Sequence, residues 1–586
     1  MILIFLGYLL LLPSVISAFN PSEDEDLVTF VTLPQSRALK WNITYHDRSA
    51  VAPGYWFVAP YYLNMGEPST NRWMPCQIGA HIFDQDGELV WTGSCDTDNN
   101  NIYDFRMVDT IGNPPSLVML LREEDTPGRT HSVLIYDNNY EQTHYITELP
   151  HINGHEINIK SPSQALVMIT REDSLDTSSV GEPGKETTVS TGGFAEFDIT
   201  TGKTSQEWHS DAISLDESFT YPNRDYIHTN SVDRNQHGDY LLSGRHTDTI
   251  YLISGEDGHI IWRLGGKKND FEKDFEFAGQ HDAKFISAND THQVLSFLNN
   301  GARDDVVVQP VSSAMFVELN TVDMTATILN EYTRPDGGST TKRGNVQTLP
   351  NNNILVSWSK DGYMSEFSHD GKLLMDASFA SDRFSTYRAY KFPWSSRSPS
   401  YPPTLVSSCY GVNGSALSTV FYVSWNGATE VKSWKFYARA SPSGPDIEIG
   451  TTSKNGFETF YTARGYMDRV SVKALDADNN ILGTSEIVRT DPPEYWPKGA
   501  EMPEPDDPAA LDLGVDENIE QDQEQGYQFE FFAIGLLVST AGYFFIHFCY
   551  PTVREYIRRT YSRAPAEDPE GKEPEEEELM RERTDI

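Results

Sequence analysis

Tyr226-Ile-His-Thr-Asn-Ser-Val-Asp-Arg-Asn-Gln-His-Gly-Asp-Tyr-Leu-Leu-Ser-Gly-Arg245 is followed by Gly255-Glu-Asp-Gly-His-Ile-Ile-Trp-Arg-Leu-Gly-Gly266 and by Gly279-Gln-His-Asp282. Apolar residues alternate with polar ones, a short Gly or acidic turn follows, and alternation resumes. That is the signature of a β-hairpin. The pattern recurs at His81–Trp91, Val133–Tyr145, Ala195–Lys203, Tyr251–Trp262, Phe316–Asn320 and Ser365–Leu374. The copies are roughly fifty to sixty residues apart, close to the period of propeller blades. Six hairpins, each preceded by a strand pair, predict an all-β, six-bladed β-propeller over residues 19–405. A single β-sandwich rarely needs so many regular hairpins.

The strand before several hairpins opens on a polar residue. His155-Glu-Ile-Asn-Ile precedes Ala165–Ile169, and His228-Thr-Asn-Ser-Val precedes Tyr240–Ser243. His281-Asp-Ala-Lys-Phe precedes Val294–Phe297, and Asn345-Val-Gln-Thr-Leu precedes Ile354–Ser357. If these are the innermost strands, their first residues ring a central channel. Residues i and i+2 of a strand share a face, so His228 and Asn230 are expected to point into it together. After Ser400 the texture changes, and the short alternating runs of 411–490 predict a small immunoglobulin- or fibronectin-like β-sandwich.

The ends carry different signals. Ile2–Leu12 is apolar and runs into small residues up to Ala18, so 1–18 reads as a secretory signal peptide. Residues 491–530 form an acidic linker, and Phe531–Tyr550 is long and apolar enough for one transmembrane helix. Arg554, Arg558, Arg559 and Arg563 follow the apolar run, whereas Glu501–Glu530 holds no Lys or Arg. The positive-inside bias makes this a single-pass type I membrane protein of the secretory pathway. The bulk of the chain is then lumenal or extracellular, and 551–586 is a disordered cytosolic tail whose partner the sequence does not name. Asn42, Asn289 and Asn413 lie in Asn-x-Ser/Thr sequons on the lumenal side. Cys76 and Cys95 are close enough to form a disulfide, but spacing leaves the connectivity open. The formal charge of −41 excludes a nucleic-acid partner, whose binders need a basic surface.

His155, His228, His281 and Arg245 are the residues that this architecture brings together. An imidazole can carry a covalent group, and a guanidinium presents a fixed fork of donors to an anion. Each also has a structural reading, since a His at a strand start often only bonds backbone. The histidines alone would suit a metal, but no close His-x-His or carboxylate pattern supports one, so no metal and no cofactor are expected.

Taken in order, Gly154-His-Glu156, His228-Thr-Asn-Ser-Val232, Tyr240-Leu-Leu-Ser-Gly-Arg-His246, Ile261-Trp-Arg-Leu-Gly-Gly266 and Gln280-His-Asp282 resemble the arylsulfotransferase family, especially its fungal secreted branch. The resemblance extends over about 50–490. It implies a transferase that moves a sulfuryl group from a phenolic sulfate to a phenol, without a nucleotide sulfate donor. It implies His281 as the transiently sulfated nucleophile, His155, His228 and Arg245 as its catalytic neighbours, and Asn230 as a substrate-binding donor. Glu156 and Asp282 stand beside two of these histidines and would raise their pKa if they faced inward. The competing reading is a membrane-anchored propeller that serves as a binding or scaffold protein; a hydrolase using the same intermediate is a third.

Overall fold

The computed structural model describes residues 26–62, 75–123, 131–147, 149, 151–303, 306–397, 399–411 and 416–493. The signal peptide, most of the acidic linker, the apolar run 531–550, the tail and Asn413 lie outside the described residues. Among the described residues no helix is long and apolar enough to cross a membrane. The protein is all-β there, and its helical pieces are 3₁₀ turns such as Thr177–Val180 and Ser359–Asp361.

Six antiparallel sheets of four or five strands make up most of the structure. Their innermost strands are Ile102–Val108, Ile152–Ile159, Thr229–Arg234, His281–Ala288, Asn345–Thr348 and Phe384–Phe392. Each touches the next, and the last returns to the first, so the ring is closed in the manner of a β-propeller. The six hairpins expected from sequence are the third and fourth strands of the six sheets, counted from the innermost strand.

Closure draws on both ends of the ring. Phe384–Phe392 pairs with Tyr55–Tyr62 and so completes a sheet whose other strands come from the N-terminal side. Trp41–Tyr45 adds a fifth strand to Leu373–Phe379. A ring closed this way leaves fewer open sheet edges.

The sheets are buried on both faces, which explains the continuous apolar runs. In the sheet that follows His228, Leu241, Ile250, Leu252 and Trp262 pack with Phe297 and Val317 of the next sheet. Their neighbours Tyr240, Leu242, Tyr251 and Ile253 pack the other way, against Leu166, Met168 and Phe194. Period-two alternation therefore divides one strand between two cores.

Residues 404–489 form two further sheets. Thr404–Tyr410, Ser418–Ser424 and Glu458–Arg464 make one; Ile447–Ser453, Ser433–Arg439, Arg469–Leu475 and Ile481–Thr484 make the other, joined by Val488–Arg489. Phe421, Val423, Trp434, Phe436, Val470 and Val472 share the core between them. This unit starts earlier than the expected 411, because Leu405 and Cys409 turn inward on its first strand. Its Asn426 donates to Thr92 O at 2.9 Å and accepts from Thr92 N at 2.9 Å. Gly427 N donates to Val90 O, so the Trp425-Asn-Gly turn covers the edge of the outermost strand Leu89–Thr92. Cys76 and Cys95 form a disulfide, and Cys409 is a buried free thiol.

Candidate active site

The inner strands do not simply alternate. Bulges interrupt them between Tyr103 and Arg106, Ile152 and Ile157, Thr229 and Ser231, and His281 and Lys284. Asp104, His228 and Asp282 accordingly take positive φ values of 47°, 48° and 57°, uncommon for residues with a side chain. Two successive rings result, one of histidines and tyrosines and one of ions.

In the first ring His155 Nε2 lies 3.1 Å from His228 Nε2, with the rings nearly perpendicular. His155 Nδ1 faces Asn153 Oδ1 at 3.1 Å. His228 Nδ1 faces Asp225 Oδ2 at 2.5 Å, and Asp225 Oδ1 accepts from the His228 backbone N–H. Arg245 N donates to His228 O, so strand pairing alone sets the arginine beside this histidine. The guanidinium Nη1 donates to His246 Nε2 at 2.7 Å, and His246 Nδ1 donates to Asp225 O. Tyr387 stacks edgewise on His155, and Tyr103 on Tyr387. Burial pushes the Tyr103 hydroxyl up to about 12, so it stays protonated.

His281 is 2% exposed. Its Nδ1 donates to Asn300 Oδ1 at 2.8 Å and lies 3.0 Å from Gly279 O. Asn300 Nδ2 donates to Thr340 O and Arg343 O, which fixes its oxygen toward the imidazole. The other ring nitrogen, Nε2, therefore carries the lone pair and accepts a 3.2 Å bond from Arg343 N. Burial, then the charge of Arg245, holds His281 well below the ordinary imidazole range. Burial, then His228, does the same to His155. Burial also lowers His228, although Asp225 opposes it.

The second ring contains Asp104, Glu156, Asn230, Asp282, Asn345 and Arg388, all buried. Arg388 reaches Asp104 at 3.1 Å, Glu156 at 3.1 Å and Asp282 at 3.5 Å. Lys284 is 2.6 Å from Glu156, and Arg106 is 3.5 Å from Asp104. Glu156 and Asp282 therefore spend their charge on this cluster, and the condition under which they would raise the histidines is not met. The reason is the i+1 position: each points to the layer next to its histidine's.

Asn230 differs from expectation in the same way. The bulge at Thr229/Ser231 removes it from the face of His228, and it sits in the second ring. Its Nδ2 donates to the carbonyl of Gln280, the residue before His281, at 2.8 Å. Asn42 lies exposed on the added outer strand and Asn289 in an exposed turn, so both sequons are accessible.

Sequence reasoning missed Asp225, His246, Asn300 and Arg343. Asn300 had a signal: it follows the strand paired with that of His281, as Arg245 follows the strand paired with that of His228. Among the described residues, Asp225, His228 and His246 cluster closely enough to hold a metal ion. Their donor atoms are already spent on one another, and the Arg245 guanidinium on His246 Nε2 opposes a second cation. The group reads as a hydrogen-bonded relay.

No curated protein matches the sequence. Among solved structures, a protein of unknown function from Bacteroides caccae is 12% identical, with 58% of this chain and 99% of that chain covered and a TM-score of 0.34. A catalytically inactive virginiamycin B lyase from Staphylococcus aureus, solved with quinupristin, is 12% identical over 66% of this chain and 94% of that chain, with a TM-score of 0.26. A streptogramin B lyase is 8% identical over 70% of this chain and 98% of that chain, also with a TM-score of 0.26. The family model described as arylsulfotransferase (ASST) matches residues 128–380, so the stretch that holds His155, His228, Arg245 and His281 is similar to the arylsulfotransferases.

Proposed function

We propose that this chain is an aryl sulfotransferase that works through a sulfo-histidine on His281. The observation that carries the reading is the state of that ring: neutral, fixed by Asn300, with its Nε2 lone pair available near Arg245. Nε2 relinquishes the long bond from Arg343 N and attacks the sulfur of an aryl sulfate. The S–O bond to the ring breaks, its electron pair leaves on the phenoxide, and a proton from the His155/His228 pair neutralises it. A second phenol then gives its proton to the pair, its oxygen attacks the sulfur, and the N–S bond electrons return to His281. Such loose anionic transfers depend on positioning and charge stabilisation, which the Arg245 fork supplies. Splitting the displacement in two is the gain from a covalent nucleophile. Asn230 supports His281 from below through Gln280.

Around this site we read each of the six sheets as a blade and 404–489 as a fibronectin-like module. The signal at 1–18 and the span at 531–550 would place both on the lumenal or extracellular side of a membrane, with glycans at Asn42, Asn289 and Asn413.

The test is intact-protein mass spectrometry after brief exposure to 4-nitrophenyl sulfate, quenched at alkaline pH. Wild type should gain one sulfuryl mass and His281→Ala none. No gain in folded wild type across several aryl sulfates would move the reading to a binding propeller.

A further inference from the structure

His155 and His228 meet nitrogen to nitrogen, and their other contacts decide what lies between them. Asn153 Oδ1 accepts from the backbone N–H of His155, and its Nδ2 donates to Thr170 Oγ1, so the amide orientation is fixed. An oxygen thus faces His155 Nδ1, which must carry a hydrogen. A carboxylate faces His228 Nδ1, which must carry one too. Both Nε2 atoms are then acceptors, and two acceptors 3.1 Å apart require one proton between them.

We propose that Asp225 is a positioning residue that fixes His228 so that His155 and His228 hold a single proton between their Nε2 atoms, the proton that the departing phenoxide collects. This rests on the sulfuryl-transfer reading above. Asp225 is suited to the role because it meets both halves of the site. Its carboxylate takes His228 Nδ1–H and N–H, and its carbonyl takes His246 Nδ1–H, whose ring in turn accepts from Arg245. One residue thereby sets the angle between proton donor and anion-binding fork. His246, Arg245 and Asp225 face His228, and His281, Arg343, His131 and Tyr387 face His155. Burial opposes a proton on either ring alone, and among these groups Asp225 supplies the negative charge that works against burial for a proton shared by the pair. The balance closes over a cycle: the proton leaves with the first phenol, and the acceptor phenol returns one as its oxygen takes the sulfuryl group from His281.

The test compares two donors in the full-length protein. 4-Nitrophenolate leaves without help because its ring withdraws charge, whereas phenolate needs a proton. Asp225→Asn should slow sulfo-enzyme formation about 100-fold with phenyl sulfate and less than about 5-fold with 4-nitrophenyl sulfate, in line with the usual worth of general acid catalysis. Asp225→Glu should recover part of the phenyl sulfate rate. Equal losses with both donors would overturn the proposal, since a misfolded or merely loosened site does not discriminate between leaving groups. A second readout needs no turnover. In histidine-15N-labelled protein, wild type should show one far-downfield proton coupled to histidine Nε2, absent in Asp225→Asn. Its absence from wild type would also overturn the proposal. If wild type forms no sulfo-enzyme with any donor, the sulfuryl-transfer reading fails, and the resonance alone then decides whether the proton is shared.

Discussion

Replacing Arg388 with Gln removes the central cation of the second ring and is the sharpest test of how the fold holds its site. The Arg388 side chain is 1% exposed, and those of Asp104, Glu156 and Asp282 are at most 3% exposed. Without it, the cations left beside the three carboxylates among the described residues are Arg106 and Lys284, and the carbonyl of Asn230 loses a donor at 3.3 Å. Breaking a buried pair by removing one partner costs about 3–5 kcal/mol, because the remaining charge stays buried. The urea midpoint of the purified full chain in mild detergent should fall accordingly. The deficit should also depend on pH. Burial already raises the Asp282 carboxyl, with Arg388 and Lys284 opposing, so losing Arg388 raises it further. A carboxyl whose folded pKa lies above its unfolded value contributes stability at low pH and loses it as pH rises through the folded pKa. Glu156, held at about 2 against burial by Arg388 first and then Lys284 and Arg106, moves in the same direction. The gap between variant and wild type should therefore narrow as the pH falls. A loss under about 1 kcal/mol, or a gap that stays constant with pH, would refute the idea that this cluster locks the ring.

Two other perturbations test the edges of the same architecture. Changing Cys76 and Cys95 together to Ser opens a loop with a sequence separation of 19, and thermal unfolding should report a loss of about 3 kcal/mol. Asn426→Ala removes two hydrogen bonds to Thr92 and uncovers the edge of Leu89–Thr92; limited proteolysis should cut the 393–403 connection faster, with a stability loss of about 2 kcal/mol and sulfuryl transfer unchanged.

Much of this was legible in the sequence because it is local. Each outer hairpin announces itself within a dozen residues, and His155, His228 and His281 open their motifs visibly. What stayed hidden was non-local or irregular. Nothing near Phe384–Phe392 says that its partner is Tyr55–Tyr62, because that pairing spans most of the chain. Strict alternation put Asn230 beside His228, and one bulge removed it. Asp225 was not singled out at all, although it stands only three positions before the histidine that it holds.

The same irregularity explains why carboxylates follow two of the site histidines. His155-Glu156 and His281-Asp282 each put an imidazole in one ring and an acid in the next, and Tyr387-Arg388 supplies the counter-charge from the last strand to join the ring. A neutral lock of apolar residues would cost less desolvation, since buried ion pairs seldom stabilise more than well-packed hydrocarbon. Ions offer direction instead. Asp104 also accepts from Ile157 N at 2.9 Å, and Asp282 from Val346 N at 3.0 Å, so each acid pins the backbone of the following inner strand. Hydrogen bonds of that kind fix register as well as distance, and the register of these strands decides where each histidine nitrogen points. In this reading the charge ring sets the register in which two imidazoles from different sheets meet at 3.1 Å.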